Sequence, residues 1–359
     1  MRKNSRKPAI LEIADPIDRS VFAGIDYHKT FIMVSIGDKD GEVLLRKRIY
    51  TIKEELLKFF RQFKQLVCVV ESCRGYEWFV DFLKDELGFE VYVCSPAAIK
   101  AFLNRTRTKC DRIDSDSLME LLAKDFLPLC YVPTADEREL REMLRWRCQL
   151  LRSETRAKLR IHALLDKENK GTQNTDLFTI KGREYLRSVE LLNETRRKIL
   201  DEQLDLLERF EEIRQEYDRQ ISRLAKTEEA MRLKTTPGIA DLSALLLIAE
   251  LGDINRFRRA KQVVKYVGLC PSVYESGSTR HTGKITKQGP SILRWILIQN
   301  AWAAVNSSAE MRERFNALLK RCGKKKAIVA IARRLLEIVF HILKNKVTYD
   351  ARLQVRMGG

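Results

Sequence analysis

The sequence predicts a multidomain chain, with an α/β domain first, then an antiparallel coiled coil, then a mainly helical domain. Three observations predict it. Short β-branched apolar runs alternate with amphipathic stretches over residues 21–130. Charged residues at helical spacing, with few glycines, fill 131–230. Short apolar helices broken by polar, glycine-containing stretches occupy 231–345. The ends, 1–20 and 346–359, read as a loose basic arm and a tail.

In the first segment "VFAGIDY" (21–27) and "TFIMVSIG" (30–37) are strands, "DKDG" (38–41) is a turn, and "EVLLRKRIY" (42–50) is a third strand. "KEELLKFFRQF" places Leu56, Leu57, Phe60 and Phe63 at helical spacing. "LVCVVES" (66–72) is a buried strand, "YEWFVDFLKDEL" a helix and "EVYVC" (90–94) another strand. Three hairpin-linked strands followed by helix, strand, helix, strand, helix is the order of a ribonuclease-H-like domain.

In the second segment Leu200, Leu204 and Leu207, and again Tyr217, Ile221 and Leu224, form one apolar stripe. Two long helices are expected, about 136–166 and 184–229, around the polar break "KENKGTQNTD" (167–176). A compact helical bundle is the alternative. In the third, "TTPGIADLSALLLIAELGD" (235–253) has the look of a helix-hairpin-helix element. Its Pro237–Gly238 turn can offer backbone N–H groups to a DNA phosphate, although structural punctuation fits the same residues.

Charge narrows the function. The chain carries 67 Lys and Arg against 49 Asp and Glu, a net of +18 over 359 residues. Residues 231–359 hold 24 of the basic and only 8 of the acidic groups, whereas 21–130 and 131–230 are each balanced. A polyanionic partner, most simply nucleic acid, follows. No apolar run reaches the ~18 residues of a membrane span. The eight cysteines form no CxxC pair and no zinc spacing, which points to a reducing cytoplasm.

Four carboxylates stand out by position. Asp26 ends the first strand, Glu71 ends the fourth, and Asp111 and Asp114 lie one turn apart at a helix start. In a ribonuclease-H-like sheet the first and fourth strands are neighbours, so the four can converge. Converging carboxylates repel unless cations neutralise them, and hard oxygen donors suit Mg²⁺ or Mn²⁺. A metal pair there stabilises the attacking and leaving oxygens of a phosphodiester. Asp116 competes for the fourth place and otherwise reads as surface.

The stretch "YESGSTRHTGKITKQG" (274–289) packs hydroxyls, glycines and basic side chains between apolar helices and reads as a polar loop. Ser276, Ser278, Thr279 and Thr282 all offer a hydroxyl, and His281 has no evident acidic partner. Tyr266, Trp295 and Trp302 fit a core better than a stacking surface, and the lysine cluster in "RCGKKKAIVAIARRLLEIVF" (321–340) fits a backbone-binding patch or a solvated helix start.

Together "GIDYHK", "VVES", "KCDRIDS" and the run from "PGIADLSALLLIAELGD" to "GKITKQGPSILRWIL" resemble the DEDD transposases of bacterial insertion-sequence family 110, relatives of the pilin-gene invertases, across about 21–340. The resemblance implies a RuvC-like domain, a coiled coil and a C-terminal transposase domain. It matches Asp26, Glu71, Asp111 and Asp114 to the metal-holding tetrad and Ser276 to a nucleophilic serine. It implies a recombinase that cuts and rejoins donor and target DNA through a phosphoserine bond. Guidance by a bridge RNA is implied, as are homo-oligomers, dimer or tetramer, with composite active sites, working in the bacterial cytoplasm at the nucleoid. On that reading Gly277 allows close backbone approach, and Arg280, Lys284 and Lys287 neutralise phosphate. A metal-dependent, structure-specific nuclease using water is the alternative, and a non-enzymatic nucleic-acid scaffold a third reading that the acidic tetrad argues against.

Overall fold

A computed structural model of the chain describes residues 21–96, 111–170, 176–191, 193–276 and 279–350. The basic arm, part of the polar break and the end of the tail lie outside them. The chain divides into two compact units, Met1–Val132 and Pro133–Gly359. No helix among the described residues is long and apolar enough to cross a membrane.

The first unit runs β1 (Val21–Tyr27), β2 (Phe31–Gly37), β3 (Val43–Tyr50), α1 (Lys53–Phe60), β4 (Leu66–Glu71), α2 (Tyr76–Asp81, continued by a π turn Phe82–Glu86), β5 (Glu90–Cys94) and α3 (Asp111–Ala123). The sheet order is β3-β2-β1-β4-β5, with β2 antiparallel to β1 and β3, and β4 parallel to β1 and β5. That is the ribonuclease-H-like order expected from the sequence.

Alternation gives this sheet two unlike faces. Ala23, Ile25, Cys68 and Val70 join a core with Phe60, Phe79 and Leu83. The opposite face is built from small residues where α3 lies down. A Cβ on Gly24 would meet the Met119 Cβ at 2.9 Å and also collide with the Ser115 carbonyl, and one on Gly37 would meet the Met119 methyl at 2.5 Å. Val69 and Cys94 pack on Leu118 and Leu122 of the same helix. Glycine thus lets α3 come closer to the strands than any larger residue allows.

The second unit opens with α4 (Ala135–Asp166), started by a capping box between Thr134 and Glu137. After it come α5 (Ile180–Ser188), α6 (Glu194–Leu224), α7 (Glu228–Lys234), α8 (Asp241–Leu251), α9 (Ala260–Val267), the strands β6 (Pro271–Ser276) and β7 (Thr279–Ile285), α10 (Ser291–Ser307), α11 (Ala309–Cys322) and α12 (Lys324–Asn345). Helices α4 and α6 are antiparallel, since Arg147 pairs with Asp218, Glu154 with Arg214 and Glu168 with Arg196. Ala157, Ile161 and Leu165 meet Leu200, Leu204 and Leu207 between them. Leu144 and Ile221, from the same two helices, lie in the large core of α7–α12, so the pair is continuous with that core.

Two expectations change here. The second long helix begins at Glu194 rather than near 184, because Thr179 and Asn193 each cap a helix start and divide the run into α5 and α6. The stretch 274–289 is not a loop throughout. Residues through Ser276 and from Thr279 to Ile285 pair as an antiparallel hairpin, with Ser276 opposite Thr279. A two-stranded hairpin need not bury either face, so hydroxyls stood where a strand signal needs alternate apolar residues.

Gly24→Ala therefore drives a methyl into the α3 backbone. We expect it to destabilise the first unit by roughly 2 kcal/mol or more, on the scale of core overpacking. Urea unfolding of the full chain, followed by hydrogen exchange of the β1 and α3 peptides, reads the first unit separately from the second. An unchanged midpoint would contradict the packing.

Candidate active site

Asp26 lies on β1 two residues beyond Gly24, so the same alternation turns it toward the α3 side of the sheet. Glu71 lies two residues beyond Val69, which packs on α3, and so takes the same side. The parallel register pairs Ile25 with Val70, which makes Asp26 and Glu71 the next neighbours at the carboxyl ends of adjacent strands. Asp26 is buried, with 8% of its surface exposed, while Glu71 is half-buried. The two carboxylates share one edge of one face.

Cys73 registers their combined field. Its sulfur donates to the Tyr27 carbonyl at 3.4 Å. Burial pushes the thiol up to about 11, and the negative charges of Glu71, Asp26 and Glu77 add to the shift. His28 donates from Nε2 to Asp26 Oδ2 at 3.1 Å. Its ring lies 4.6 Å from that of Phe31, and the Arg48 guanidinium covers Phe31 at 3.9 Å. His28 holds one Asp26 oxygen in place from outside the sheet. Neither His28 nor Cys73 was selected from the sequence, where the only sign was their position just past the two strand ends.

Helix α3 is described from Asp111 onward and carries Asp114, which is half-buried. The side chain of Asp111 lies outside the described residues. Asp116 is not idle surface. Arg46 Nε donates to both its oxygens, at 2.8 and 3.0 Å, and the Ser35 hydroxyl donates to Oδ1 at 2.6 Å. Ser35 has then spent its proton, so the buried Ser115 hydroxyl donates to it at 2.8 Å. This chain of bonds fastens α3 to β2 and β3, and it occupies the Asp116 carboxylate. Asp116 positions the helix that carries Asp111 and Asp114.

Among the described residues no group of three or more His, Cys, Asp or Glu side chains is close enough to hold a metal ion. Asp26 and Glu71 converge, and Asp114 stands on the helix packed over their face. All three are hard oxygen donors, a chemistry that fits Mg²⁺ or Mn²⁺.

In the second unit Ser276 closes β6, with its side chain, Gly277 and the Arg280 side chain outside the description. The base of the hairpin is tightly held. Gly268 and Gly289, with φ of 75° and 69°, let the strand return against the end of α9. A Cβ on Gly268 would lie 2.8 Å from the Lys287 carbonyl carbon. Arg294 Nη1 donates to the carbonyls of Val267, Gln288 and Gly289 at 3.0, 2.7 and 3.0 Å. Lys284 and Lys287 are exposed on this anchored segment, Lys287 at φ 56°. Gly238 has φ 83°, and a Cβ there would meet Ala304 N of α10 at 2.7 Å, so its close backbone approach is to this chain's own helix. Tyr266, Trp295 and Trp302 all pack against the core.

Two measurements follow. Asp116→Ala strands Arg46 and Ser35 and should cost about 1–2 kcal/mol in urea unfolding, with Asp116→Asn losing less. With its thiol pushed up to about 11, Cys73 is only about a thousandth thiolate at pH 8. Its alkylation should rise about tenfold per pH unit between 8 and 10. Glu71→Gln should speed it at fixed pH, and equal rates in the two proteins would refute the shared field.

Comparison with known proteins supplies the family. A model described as the transposase of the IS116/IS110/IS902 family matches residues 230–316, and a second, described as a transposase and named for the DEDD type of IS110, matches residues 23–169. The chain is 25% identical over 338 residues to the transposase for insertion sequence element IS1111A of Coxiella burnetii, covering 91% of this chain and 90% of that protein. It is 27% identical over 325 residues to the transposase for IS1328 of Yersinia enterocolitica, covering 88% and 95%. A pilin gene-inverting protein of Moraxella bovis is 30% identical over 127 residues, 34% of this chain and 39% of that protein. With both models in the chain order expected from the motifs, the chain belongs to the IS110 family of insertion-sequence transposases.

Proposed function

We propose that this transposase cuts and rejoins DNA through a phosphoserine bond at Ser276, with Asp26, Glu71, Asp111 and Asp114 as the metal-holding tetrad. The observation that carries the reading is the pairing of Asp26 with Glu71 on the α3 side of the sheet, beside the helix bearing the other two aspartates. These carboxylates would hold Mg²⁺, which when bound would supply charge neutralisation at the phosphate and favour loss of a hydroxyl proton. His28 holds the Asp26 carboxylate, and the Arg46–Asp116–Ser35 chain holds the helix that carries Asp111 and Asp114.

In the reaction the Ser276 oxygen forms a bond to phosphorus while the bond from phosphorus to a deoxyribose oxygen breaks. The serine proton is lost, and the departing deoxyribose oxygen takes one up as a hydroxyl. A deoxyribose hydroxyl of the new partner strand then attacks the phosphoserine, releases Ser276 and forms the recombinant phosphodiester. The phosphodiester's energy is kept, so no nucleotide cofactor is consumed. Lys284, Lys287 and Arg280 would neutralise the backbone beside the serine, and Gly277 would admit it closely. Guidance by a bridge RNA, and composite sites in which one copy's acidic domain serves another's serine, belong to this reading on the strength of the family resemblance.

The test is an SDS-stable adduct assay with labelled donor and target DNA, Mg²⁺ and RNA transcribed from the flanks of the element. The wild type should give a covalent protein–DNA band that both Ser276→Ala and Asp26→Asn abolish. Cleavage with no band, undiminished in Ser276→Ala, would instead establish a nuclease that uses water.

A further inference from the structure

The corner between α11 and α12 concentrates positive charge. Lys320 and Arg321 end α11, Gly323 turns the chain at φ 79°, and Lys324, Lys325 and Lys326 begin α12. All five basic side chains are exposed. From Arg314 to Leu336 the sequence contains no Asp or Glu. None of the five forms an ion pair with another described residue.

The remainder of this unit shows what an ordinary solvated helix surface looks like in this protein. Arg147 is paired with Asp218, Arg183 with Glu211, Arg232 with Glu228 and Lys234 with Asp241. Even further along α12, Arg333 and Arg334 share Glu337. At the corner none of the five has such a partner among the described residues, and no acidic residue lies within the surrounding stretch of sequence. Three lysines in the first turn of a helix also oppose its positive end, which costs stability unless an anion offsets it. A cluster kept against that cost and left without acidic neighbours is complementary to a polyanion.

The aromatic groups nearby decide what kind. Single strands are gripped chiefly by stacking bases on open aromatic faces. Here Lys324 covers the Trp302 ring at 5.3 Å and Phe315 meets that ring edge-on at 5.4 Å. The corner has lysines to offer but no open ring, which suits the backbone of a duplex whose bases remain stacked. Trp302 and Arg294 stand on the same helix, α10, roughly 12 Å apart along its axis at 1.5 Å per residue.

We propose that Lys320, Arg321, Lys324, Lys325 and Lys326 form a second nucleic-acid site that holds the phosphodiester backbone of a duplex without reading its sequence. The proposal rests on the reading of this chain as an enzyme of nucleic acid, and it concerns a surface separate from the serine and the carboxylates.

The experiment is fluorescence anisotropy of the full chain with a labelled duplex of arbitrary sequence, in a DNA arm and an RNA arm, from 50 to 300 mM KCl. Three triple variants are compared with wild type. Replacing Lys324, Lys325 and Lys326 by alanine should weaken binding roughly 10–100-fold near 150 mM and make the log–log salt slope shallower by about 3. Replacing the same three by arginine should leave the slope unchanged. Lys39→Ala, Lys58→Ala and Arg61→Ala together, which remove equal charge from the first unit, should also leave it unchanged. Equal thermal unfolding of all variants verifies that folding is intact. The loss in either duplex arm supports the site and identifies which backbone it holds. An unaltered slope in the alanine variant, or an equal loss in the first-unit variant, overturns it. Failure of the adduct assay with the slope change intact removes the phosphoserine mechanism and leaves the duplex site standing. A wild type that binds neither duplex at 50 mM KCl overturns both.

Discussion

The closest constraint in the first unit is the contact of α3 with β1 at Gly24. Because the helix backbone rests almost on the strand, its height above the sheet is fixed. Dispersion alone sets the distance but not the rotation. The bonds from Arg46 and Ser35 to Asp116, and between Ser35 and Ser115, add direction, since each is satisfied in one orientation only. The relative placement of the strand and helix carboxylates is therefore decided by these packing and hydrogen-bonding neighbours.

The second unit solves the same problem by different means. A polar hairpin has little apolar surface with which to hold itself, so its rigidity is imported at the base. Positive-φ glycines at 268 and 289 allow the chain to fold back on α9, and one guanidinium collects three carbonyls that the turn would otherwise expose. The basic side chains of this segment thus stand on a fixed platform while remaining in solvent.

Much of the first unit was legible in its sequence because each strand is apolar, short and bounded by turn residues. Asp26 and Glu71 could be selected because strand ends are identifiable and the sheet order makes those strands neighbours. What could not be read was the part that depends on three-dimensional proximity. Asp116 is separated from Arg46 by seventy positions, and nothing local distinguishes it from a solvated carboxylate. His28 and Cys73 matter through their distance from Asp26 and Glu71, not through any pattern of their own. The sequence gives no sign of the hairpin around Ser276 because its two strands follow no apolar alternation. The expected helix over 184–229 covers parts of three helices, because the breaks are made by caps at Asn193 and Thr227 that only their hydrogen bonds reveal.

The ion pairs between α4 and α6 settle a question of register. Leucine stripes tolerate a slide of one turn, because one leucine replaces another. Here Arg147 faces Asp218 and Glu154 faces Arg214. A slide of four residues in one direction brings Asp218 against Glu154, and in the other brings Arg214 against Arg147. Glu154 is buried, and a buried charge left against its like costs several kcal/mol. The helix pair is free to bend along its length, but it cannot work as a sliding piston, and any motion it transmits must be carried as rotation or bending of a fixed rod.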